Sequence, residues 1–182
     1  LRRPLGLKAR HKLLGQIILA SLFGYAAAFL LPRGTLLKIP LTGLEFDLGF
    51  MYPVFAVLVL IASTNAVNIT DGLDGLAAGL MVIAGTAYIL ISLIMDEIGL
   101  AVFASSLVGG CFGFLLFNYY PAKVFMGDTG SLALGSAVGT LAVLSGTEIL
   151  LLLIGGIFVL ETLSVIIQVI FFRMTGKRLF LM

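Results

Sequence analysis

Residues Gly75 to Met95 read GLAAGLMVIAGTAYILISLIM, which is 21 residues in a row without a charged side chain. A helix of this length rises about 30 Å, the thickness of the hydrocarbon core of a bilayer. An uncharged run this long is typical of a membrane-spanning helix and is too long for a buried strand. We therefore expect the membrane, rather than a water-soluble core, to determine the fold.

Five further stretches are similarly apolar. In chain order the six are Leu13–Leu31, Leu48–Val67, Gly75–Met95, Ile98–Phe117, Gly130–Ser145 and Ile149–Phe172. The fifth is short and rich in small residues, with Ser131, Gly135 and Gly139 four apart, which is typical of a helix packed inside a bundle, although small residues are common in membrane helices generally. We predict an all-α polytopic membrane protein with about six transmembrane helices, forming a single membrane domain over residues 1–182.

The composition supports this class and excludes others. Hydrophobic residues make up 60% of the 182 residues, charged residues 11%, and the mean hydropathy is +1.19. A soluble domain carries about 25% charged residues, and a disordered chain is less apolar still. The net charge of +2 argues against a nucleic-acid partner. Cys111 is the only cysteine in the sequence, so an intrachain disulfide is impossible.

Basic residues fall mainly on one side of the predicted topology. Nine lie at the chain ends or in the loops that share their side: Arg2, Arg3, Lys8, Arg10, Lys12, Lys123, Arg173, Lys177 and Arg178. Only Arg33 and Lys38 fall on the other side. This bias predicts that the basic side faces the cytoplasm. In the longest outer loop, Pro32–Gly49, alternation around Thr42-Gly43 predicts a small hairpin, with Pro40 at an edge.

The first inner loop, residues 65–79, carries Asn68, Asp71 and Asp74 together with Gly72 and Gly75. If Asp71 opens a helix, Asp71 and Asp74 lie on one face. Helix capping by an aspartate is the alternative explanation. Capping accounts for one of these acids but not for the whole group, so we favour a functional site.

The second inner loop, residues 117–131, ends in Gly127-Asp128-Thr129-Gly130. Its backbone N–H groups suit an anion, and Asp128 offers the oxygen ligand that Mg²⁺ prefers. Asp128 as a helix cap is again the alternative. Two acidic, glycine-rich segments on one membrane face predict a cytoplasmic-face site for a metal and a polyphosphate, above apolar helices that could seat a lipid.

Three other side chains allow two interpretations each. Phe125 could stack on a base or simply pack at the membrane boundary. Glu161 lies mid-span, where a charge is costly, and Gln168 follows two turns later on the same face. These two residues line a cavity or bridge neighbouring helices.

The inner loops carry a family resemblance. Residues 65–77 (NAVNITDGLDGLA) and 117–135 (FNYYPAKVFMGDTGSLALG) resemble the polyprenyl-phosphate N-acetylhexosamine-1-phosphate transferases. Residues 160–168 (LETLSVIIQ) and the NAVN form are similar to the branch of that family whose donor carries a muramoyl pentapeptide.

The resemblance implies roles for individual residues. It places Asn68, Asp71 and Asp128 in catalysis, with Asp128 as the Mg²⁺ ligand. It assigns substrate binding to Gly72, Leu73, Asp74, Asn118, Phe125, Gly127, Gln168 and, from looser spacing, Lys12. Among these, Phe125 would stack on uracil and Gln168 would lie in the nucleoside pocket.

The implied reaction belongs to peptidoglycan biosynthesis. Phospho-MurNAc-pentapeptide moves from UDP-MurNAc-pentapeptide to undecaprenyl phosphate, with Mg²⁺, giving lipid I and UMP. A sister enzyme that uses UDP-GlcNAc and the same lipid is the alternative, and a transporter with broken helices is a less favoured one. A homodimer is compatible with the sequence.

Two family motifs are absent from the 182 residues. The resemblance leads us to expect paired aspartates just before Leu1, clustered histidines just after Met182, and ten helices in all. We therefore expect the sequence to be a fragment of a longer protein, without the remaining N-terminal and C-terminal helices, and to be inactive on its own.

Overall fold

The computed structural model describes residues 8–40 and 42–179, and over these residues the chain is almost entirely helical. Its helices are α1 (Ala9–Phe29), α2 (Tyr52–Thr70), α3 (Leu76–Ile94), α4 (Ile98–Asn118), α5 (Gly127–Ser145), α6 (Glu148–Ile154) and α7 (Gly156–Thr175). A single 3₁₀ turn, Gly49–Met51, leads into α2. The chain is an all-α polytopic membrane protein, as the sequence predicted.

Five of the described helices are long and apolar enough to cross a bilayer. These segments are Ala9–Phe29, Gly49–Thr70, Leu76–Ile94, Ile98–Asn118 and Gly156–Thr175. The remaining long helix, α5, has 19 residues but begins with the polar sequence Gly127-Asp128-Thr129-Gly130-Ser131. Its apolar part is the stretch that the sequence assigned to the inside of the bundle.

Helix α5 packs along α2, and the core of the bundle forms around this pair. Val138, Leu141 and Ala142 of α5 are buried together with Met81 and Tyr88 of α3. Gly135 allows the close approach, since a Cβ atom built there would lie 2.6 Å from the Ser63 carbonyl oxygen of α2. Small residues therefore serve here to bring two helix backbones together, as the spacing predicted.

The predicted hairpin is present in the outer loop. Strands β1 (Leu36–Lys38) and β2 (Glu45–Asp47) are antiparallel, and Leu37 lies opposite Phe46. Pro40 belongs to the turn between the strands rather than to a strand edge. A proline has no N–H to donate, and in the turn it leaves the hydrogen bonds between the two strands intact.

The predicted sixth span, Ile149–Phe172, is wrong as a single helix. The structure divides it into α6 and α7, with the break at Gly155 and Gly156. Two consecutive glycines weaken a helix. At Gly155 a Cβ would also lie 3.0 Å from the Leu151 carbonyl oxygen, so the tight turn favours glycine.

The long helices alternate in direction, which places the chain segments at two ends of the bundle. The start of α1, the α2–α3 loop, the α4–α5 loop and the end of α7 share one end, which we call the inner end. The hairpin, the α3–α4 turn and the α5–α6 turn share the outer end. Both loops singled out in the sequence lie at the inner end.

Candidate active site at the inner end

Asp128 is the centre of a polar cluster contributed by three helices. Lys12 of α1 forms an ion pair with Asp128 Oδ2. Asn68, near the end of α2, donates from Nδ2 to Asp128 Oδ1 at 3.2 Å. The structure thus brings together three predicted site residues, Lys12, Asn68 and Asp128, which are 56 and 60 positions apart in the chain.

Asp128 lies in the first turn of α5, where the N-cap is Met126. The capping alternative for Asp128 is therefore wrong, although an acid in the first turn still stabilises the helix through its dipole. The Asp128 side chain is 55% exposed and that of Lys12 is 31% exposed. The carboxylate is consequently held by a cation and an amide while remaining open to a ligand.

Asp71 and Asp74 do not open a helix, which corrects the sequence prediction. Asp71 is the C-cap of α2, and α3 begins only at Leu76, after Gly75 with φ +74°. The Asp74 carboxylate accepts the Ala122 N–H at 2.9 Å. Asp74 therefore links the first inner loop to the second, and the two acids do not share a helix face.

Asn118 makes a second link between the two inner loops. Its Oδ1 accepts the Gly75 N–H at 3.0 Å, and its Nδ2 donates to the Val124 carbonyl at 2.9 Å. Asn118 is only 4% exposed. This side chain fixes the path of the loop that leads to Phe125 and Gly127.

The carboxyl group of Asp71 is in a different environment from that of Asp74. It is partly buried at the end of α2, and this burial raises the pKa of Asp71 above its ordinary value. Burial without a compensating charge disfavours the ionised form. The fold thus increases the proton affinity of the Asp71 carboxyl group.

The rim of the site is formed by exposed residues of both loops. Leu73 and Phe125 are 70% and 74% exposed, which leaves the Phe125 ring accessible for stacking. Gly72 and Gly127 are also exposed, and Gly127 has φ +64°, a conformation that favours glycine. These four residues, which we call the rim, are therefore accessible to a ligand at the inner end.

Gln168 lies on α7, the helix that packs against α2. Its Oε1 accepts a hydrogen bond from the Leu179 N–H at 3.0 Å, which ties the segment after α7 back onto the helix. Glu161 lies on the same helix and is half-buried. Both side chains are therefore partly covered by protein, as expected from the cost of exposing a polar group to lipid.

Mg²⁺ prefers oxygen ligands, so the acidic side chains are the groups that could hold it. Within residues 8–40 and 42–179, no three His, Cys, Asp or Glu side chains are grouped so as to hold a metal ion. The resemblance names only Asp128 as the metal ligand, and its role stays a prediction. Asp128 remains as a single accessible carboxylate, which fits Mg²⁺ that is bound mainly through substrate phosphates.

An apolar groove runs from the cluster into the membrane-spanning part of the bundle. It has a volume of about 490 Å³ and lies between α1, α2 and α5. Lys12 stands at its polar end, and Leu19, Phe23 and Leu60 line it farther along. We call it the α1 groove. It connects a charged end to an apolar channel along the membrane-spanning helices.

Sequence reasoning missed a second polar cluster, at the outer end. Glu148 is 3% exposed in the first turn of α6. Its carboxylate pairs with Arg33 at 2.6 Å and accepts a hydrogen bond from the Tyr52 hydroxyl. Arg33 also donates to the Val143 carbonyl at 2.8 Å. The cluster ties the start of the hairpin loop to α2, α5 and α6.

Known proteins match the chain closely. The family model described as glycosyl transferase family 4 matches residues 4–146. The phospho-N-acetylmuramoyl-pentapeptide-transferase of Moorella thermoacetica is 56% identical over the whole chain, and those of Desulforamulus reducens and Bacillus subtilis are 55% and 51% identical. The chain covers 57%, 55% and 56% of these three proteins, respectively.

These matches extend over both inner loops and over every helix that contributes to the Asp128 cluster. The arrangement of Lys12, Asn68 and Asp128 at one end of a membrane bundle therefore occurs in a chain whose relatives are named phospho-N-acetylmuramoyl-pentapeptide-transferases. Because the family model covers well over half of the sequence, the chain belongs to glycosyl transferase family 4.

Proposed function

We propose that this chain carries the Asp128 part of the active site of a transferase in peptidoglycan biosynthesis. The enzyme moves phospho-MurNAc-pentapeptide from UDP-MurNAc-pentapeptide to undecaprenyl phosphate and releases UMP. The observation that carries the proposal is the cluster of Lys12, Asn68 and Asp128 at the polar end of an apolar groove. The names of the relatives point to the same activity.

The site faces the cytoplasm of the bacterial inner membrane in this proposal. Seven of the described basic residues lie at the inner end: Lys8, Arg10, Lys12, Lys123, Arg173, Lys177 and Arg178. Arg33 and Lys38 lie at the outer end. The positive-inside rule therefore favours a cytoplasmic inner end, where a water-soluble nucleotide donor is available.

Asp128 is the proposed Mg²⁺ ligand. The carboxylate already attracts a cation, the Lys12 ammonium, and more than half of its surface is accessible. When bound, Mg²⁺ would neutralise the donor diphosphate and the charge that develops on departing UMP. Lys12 is then free to contact a phosphate, since its partner carboxylate is shared with the metal.

The α1 groove is the proposed seat of the lipid acceptor. Its apolar lining suits a polyprenyl chain, and Lys12 at its polar end can hold the terminal phosphate. This arrangement places the acceptor phosphate beside Asp128. It also leaves the exposed side of the cluster for the donor.

The nucleotide half of the donor is assigned to the rim. Phe125 offers an uncovered ring for the uracil, Gly72 and Leu73 are proposed to contact the same nucleoside, and Asn118 and Asp74 link the two loops. Gln168 completes the proposed nucleoside pocket from α7. Stacking on an exposed aromatic is favourable for any base, so Phe125 by itself would not select uracil.

The proposed reaction is a phosphoryl-group displacement. An oxygen of the lipid phosphate attacks the sugar-bound phosphorus of the donor, and the bond to the bridging oxygen breaks, so that UMP leaves with its electron pair. A phosphomonoester has a second pKa near about 6, so the attacking group is largely ionised without a protein base. Lys12 and Asn68 therefore act by positioning, and Asp71 can take up any remaining proton.

The proposal is tested in a full-length protein. This chain replaces the matching segment of the Moorella thermoacetica relative, and the chimera is reconstituted in lipid nanodiscs with undecaprenyl phosphate. We expect UMP release from UDP-MurNAc-pentapeptide, with Asp128→Asn lowering kcat/KM on the order of 100-fold or more. Asp96→Asn is the matched control, because Asp96 lies in the outer α3–α4 turn with φ +58°, which asparagine tolerates.

The same assay separates the two donor classes. UDP-MurNAc-pentapeptide and UDP-GlcNAc are supplied in competition, and the lipid products are identified by mass. Product from UDP-GlcNAc alone would identify the sister activity instead. A chimera that releases UMP equally well with Asp128→Asn would contradict the assignment of the site.

A further inference from the structure

The amide group of Asn68 is held by two acceptors at once. Its Nδ2 donates to Asp128 Oδ1 at 3.2 Å and to Ser131 Oγ at 2.8 Å. An amide nitrogen carries two hydrogens, so both are used. Within the described ranges, 8–40 and 42–179, no hydrogen bond reaches Asn68 Oδ1. The amide therefore turns its nitrogen to α5 and keeps its oxygen available.

Ser131 determines this orientation. It is fully buried, and its hydroxyl donates to the Gly127 carbonyl at 3.0 Å. A hydroxyl has only one hydrogen, so Ser131 Oγ can accept from Asn68 but cannot donate to it. If the Asn68 amide were flipped, its oxygen would face the Asp128 carboxylate and the Ser131 lone pairs. That arrangement loses both hydrogen bonds and adds repulsion.

We propose that Ser131 is a positioning residue for the transfer reaction. Through its hydroxyl it fixes the Asn68 amide, so that Oδ1 is presented beside Asp128 as an oxygen that can receive a substrate hydroxyl or the cation that accompanies the donor. This inference rests on the proposed function. It adds a residue that neither the loop motifs nor the resemblance assigned to the site.

The position of Ser131 on α5 explains why its hydroxyl is held in this orientation. Ser131 follows Gly127 by four residues, so its hydroxyl reaches the carbonyl one turn earlier and stays anchored to its own helix. Asp128 lies on the same turn of α5 and receives the other Asn68 hydrogen. One turn of α5 therefore defines both the carboxylate and the amide that stands next to it.

The test measures steady-state kinetics and stability in the full-length chimera. We expect Ser131→Ala to lower kcat by about 10-fold to 100-fold, as is typical of residues that orient a ligand-binding side chain without touching the ligand. The KM for the donor should stay within about twofold. Ser145→Ala is the matched control. Ser145 is also buried on α5 and donates to the carbonyl four residues earlier, Leu141, at 2.7 Å, but at the outer end. We expect the control to retain full kcat.

A double-mutant cycle distinguishes positioning from a structural role. If Ser131 acts through Asn68, then Ser131→Ala has no further effect on kcat once Asn68→Ala is present. The same cycle on the unfolding temperature reports the Asn68–Ser131 hydrogen bond without reference to activity, and we expect the two losses to be less than additive.

Three outcomes would overturn the inference. These are full kcat in Ser131→Ala, additive effects of the two substitutions on kcat, or an equal loss of kcat in Ser145→Ala. If the wild-type chimera is active and any one of these outcomes is observed, the role of Ser131 is refuted and the proposed function is not. A wild-type chimera that releases no UMP refutes the proposed function, and this inference with it.

Discussion

Asp71 and Asp74 lie three residues apart and meet different surroundings. The Asp74 carboxylate accepts a backbone N–H, whereas Asp71 is partly buried at the C-terminus of α2. Burial raises the pKa of Asp71 above 3.8. The folded state therefore keeps this proton at a pH where the unfolded chain has released it, and Asp71 lowers stability as the pH rises through that range.

We expect Asp71→Asn to raise the unfolding temperature near about pH 7, because the substitution removes a buried charge. The gain should shrink as the pH falls through the folded-state pKa toward 3.8, where the carboxyl becomes neutral in both states. Transfer activity should fall in the same variant. Differential scanning fluorimetry across this pH range measures the effect, and Asp74→Asn serves as the control, since its oxygen can still accept the Ala122 N–H. An unfolding temperature that rises equally at all pH values would contradict the assigned cause.

At the scale of the element, the contact between α2 and α5 holds the site together. Asn68 is on α2 and Asp128 is on α5, so the distance between the two helices sets the distance between the amide and the carboxylate. Gly135 lies one turn from Ser131 and faces the backbone of Ser63 and Thr64. A side chain at this position must move the helices themselves, because backbone cannot rotate out of the way.

Gly135→Ala should destabilise the bundle by about 1–3 kcal/mol and lower activity, since overpacking separates α2 from α5. Gly109→Ala is the matched control on α4, where a Cβ meets nothing within 4 Å. Alanine favours a helix over glycine, so the control should be neutral or slightly stabilising. Unfolding in detergent mixtures measures both variants. Equal stability of the two variants would show that the helices are not closely packed at Gly135.

The outer cluster is also a property of several elements together. Arg33 precedes the hairpin, Tyr52 begins α2 and Glu148 begins α6, and the Arg33–Glu148 pair is almost fully buried. Removing one partner of a buried ion pair is costly, because the remaining charge is unpaired and is not solvated by water.

Arg33→Met should therefore lower stability by about 3–5 kcal/mol. The double variant Arg33→Met with Glu148→Leu should recover most of that loss, because no charge is left buried alone. Thermal unfolding measures both variants. If the double variant is as unstable as Arg33→Met alone, the loss comes from packing or from the bond to the Val143 carbonyl rather than from the charge.

At the scale of the molecule, alternating helix direction brings the inner loops together. The chain spans slightly more than half the length of its relatives, and it supplies Lys12, Asn68 and Asp128 from helices that are distant in sequence. The donor and the acceptor must both be held in line for phosphoryl transfer, which demands more than one carboxylate and one amine.

We expect the 182-residue chain alone to release no UMP in nanodiscs, whereas the chimera does. Helical content by circular dichroism is the control, since a folded but inactive chain separates missing site residues from misfolding. Mg²⁺-dependent UMP release from the purified 182-residue chain would contradict this expectation.

The sequence by itself determined the class, the motifs and the helix positions, apart from the break between α6 and α7. Uncharged runs of bilayer length leave the backbone only helices as a way to satisfy its hydrogen bonds, so the spans can be read from composition alone. The alternation around Thr42-Gly43 was enough to predict the hairpin, because its register is local. Counting spans was enough to predict that both inner loops lie at the same end of the bundle.

Only the tertiary structure decided which groups meet. Asp71 and Asp74 looked like helix-opening acids, and one became a C-cap while the other bound the opposite loop. Ser131 looked like a packing residue, and Glu148 lies outside both inner-loop motifs. Their true partners, Asn68 and Arg33, lie 63 and 115 positions away. Such contacts depend on how helices pack, and packing is set by the shapes of all the neighbouring side chains together rather than by the pattern of any one segment.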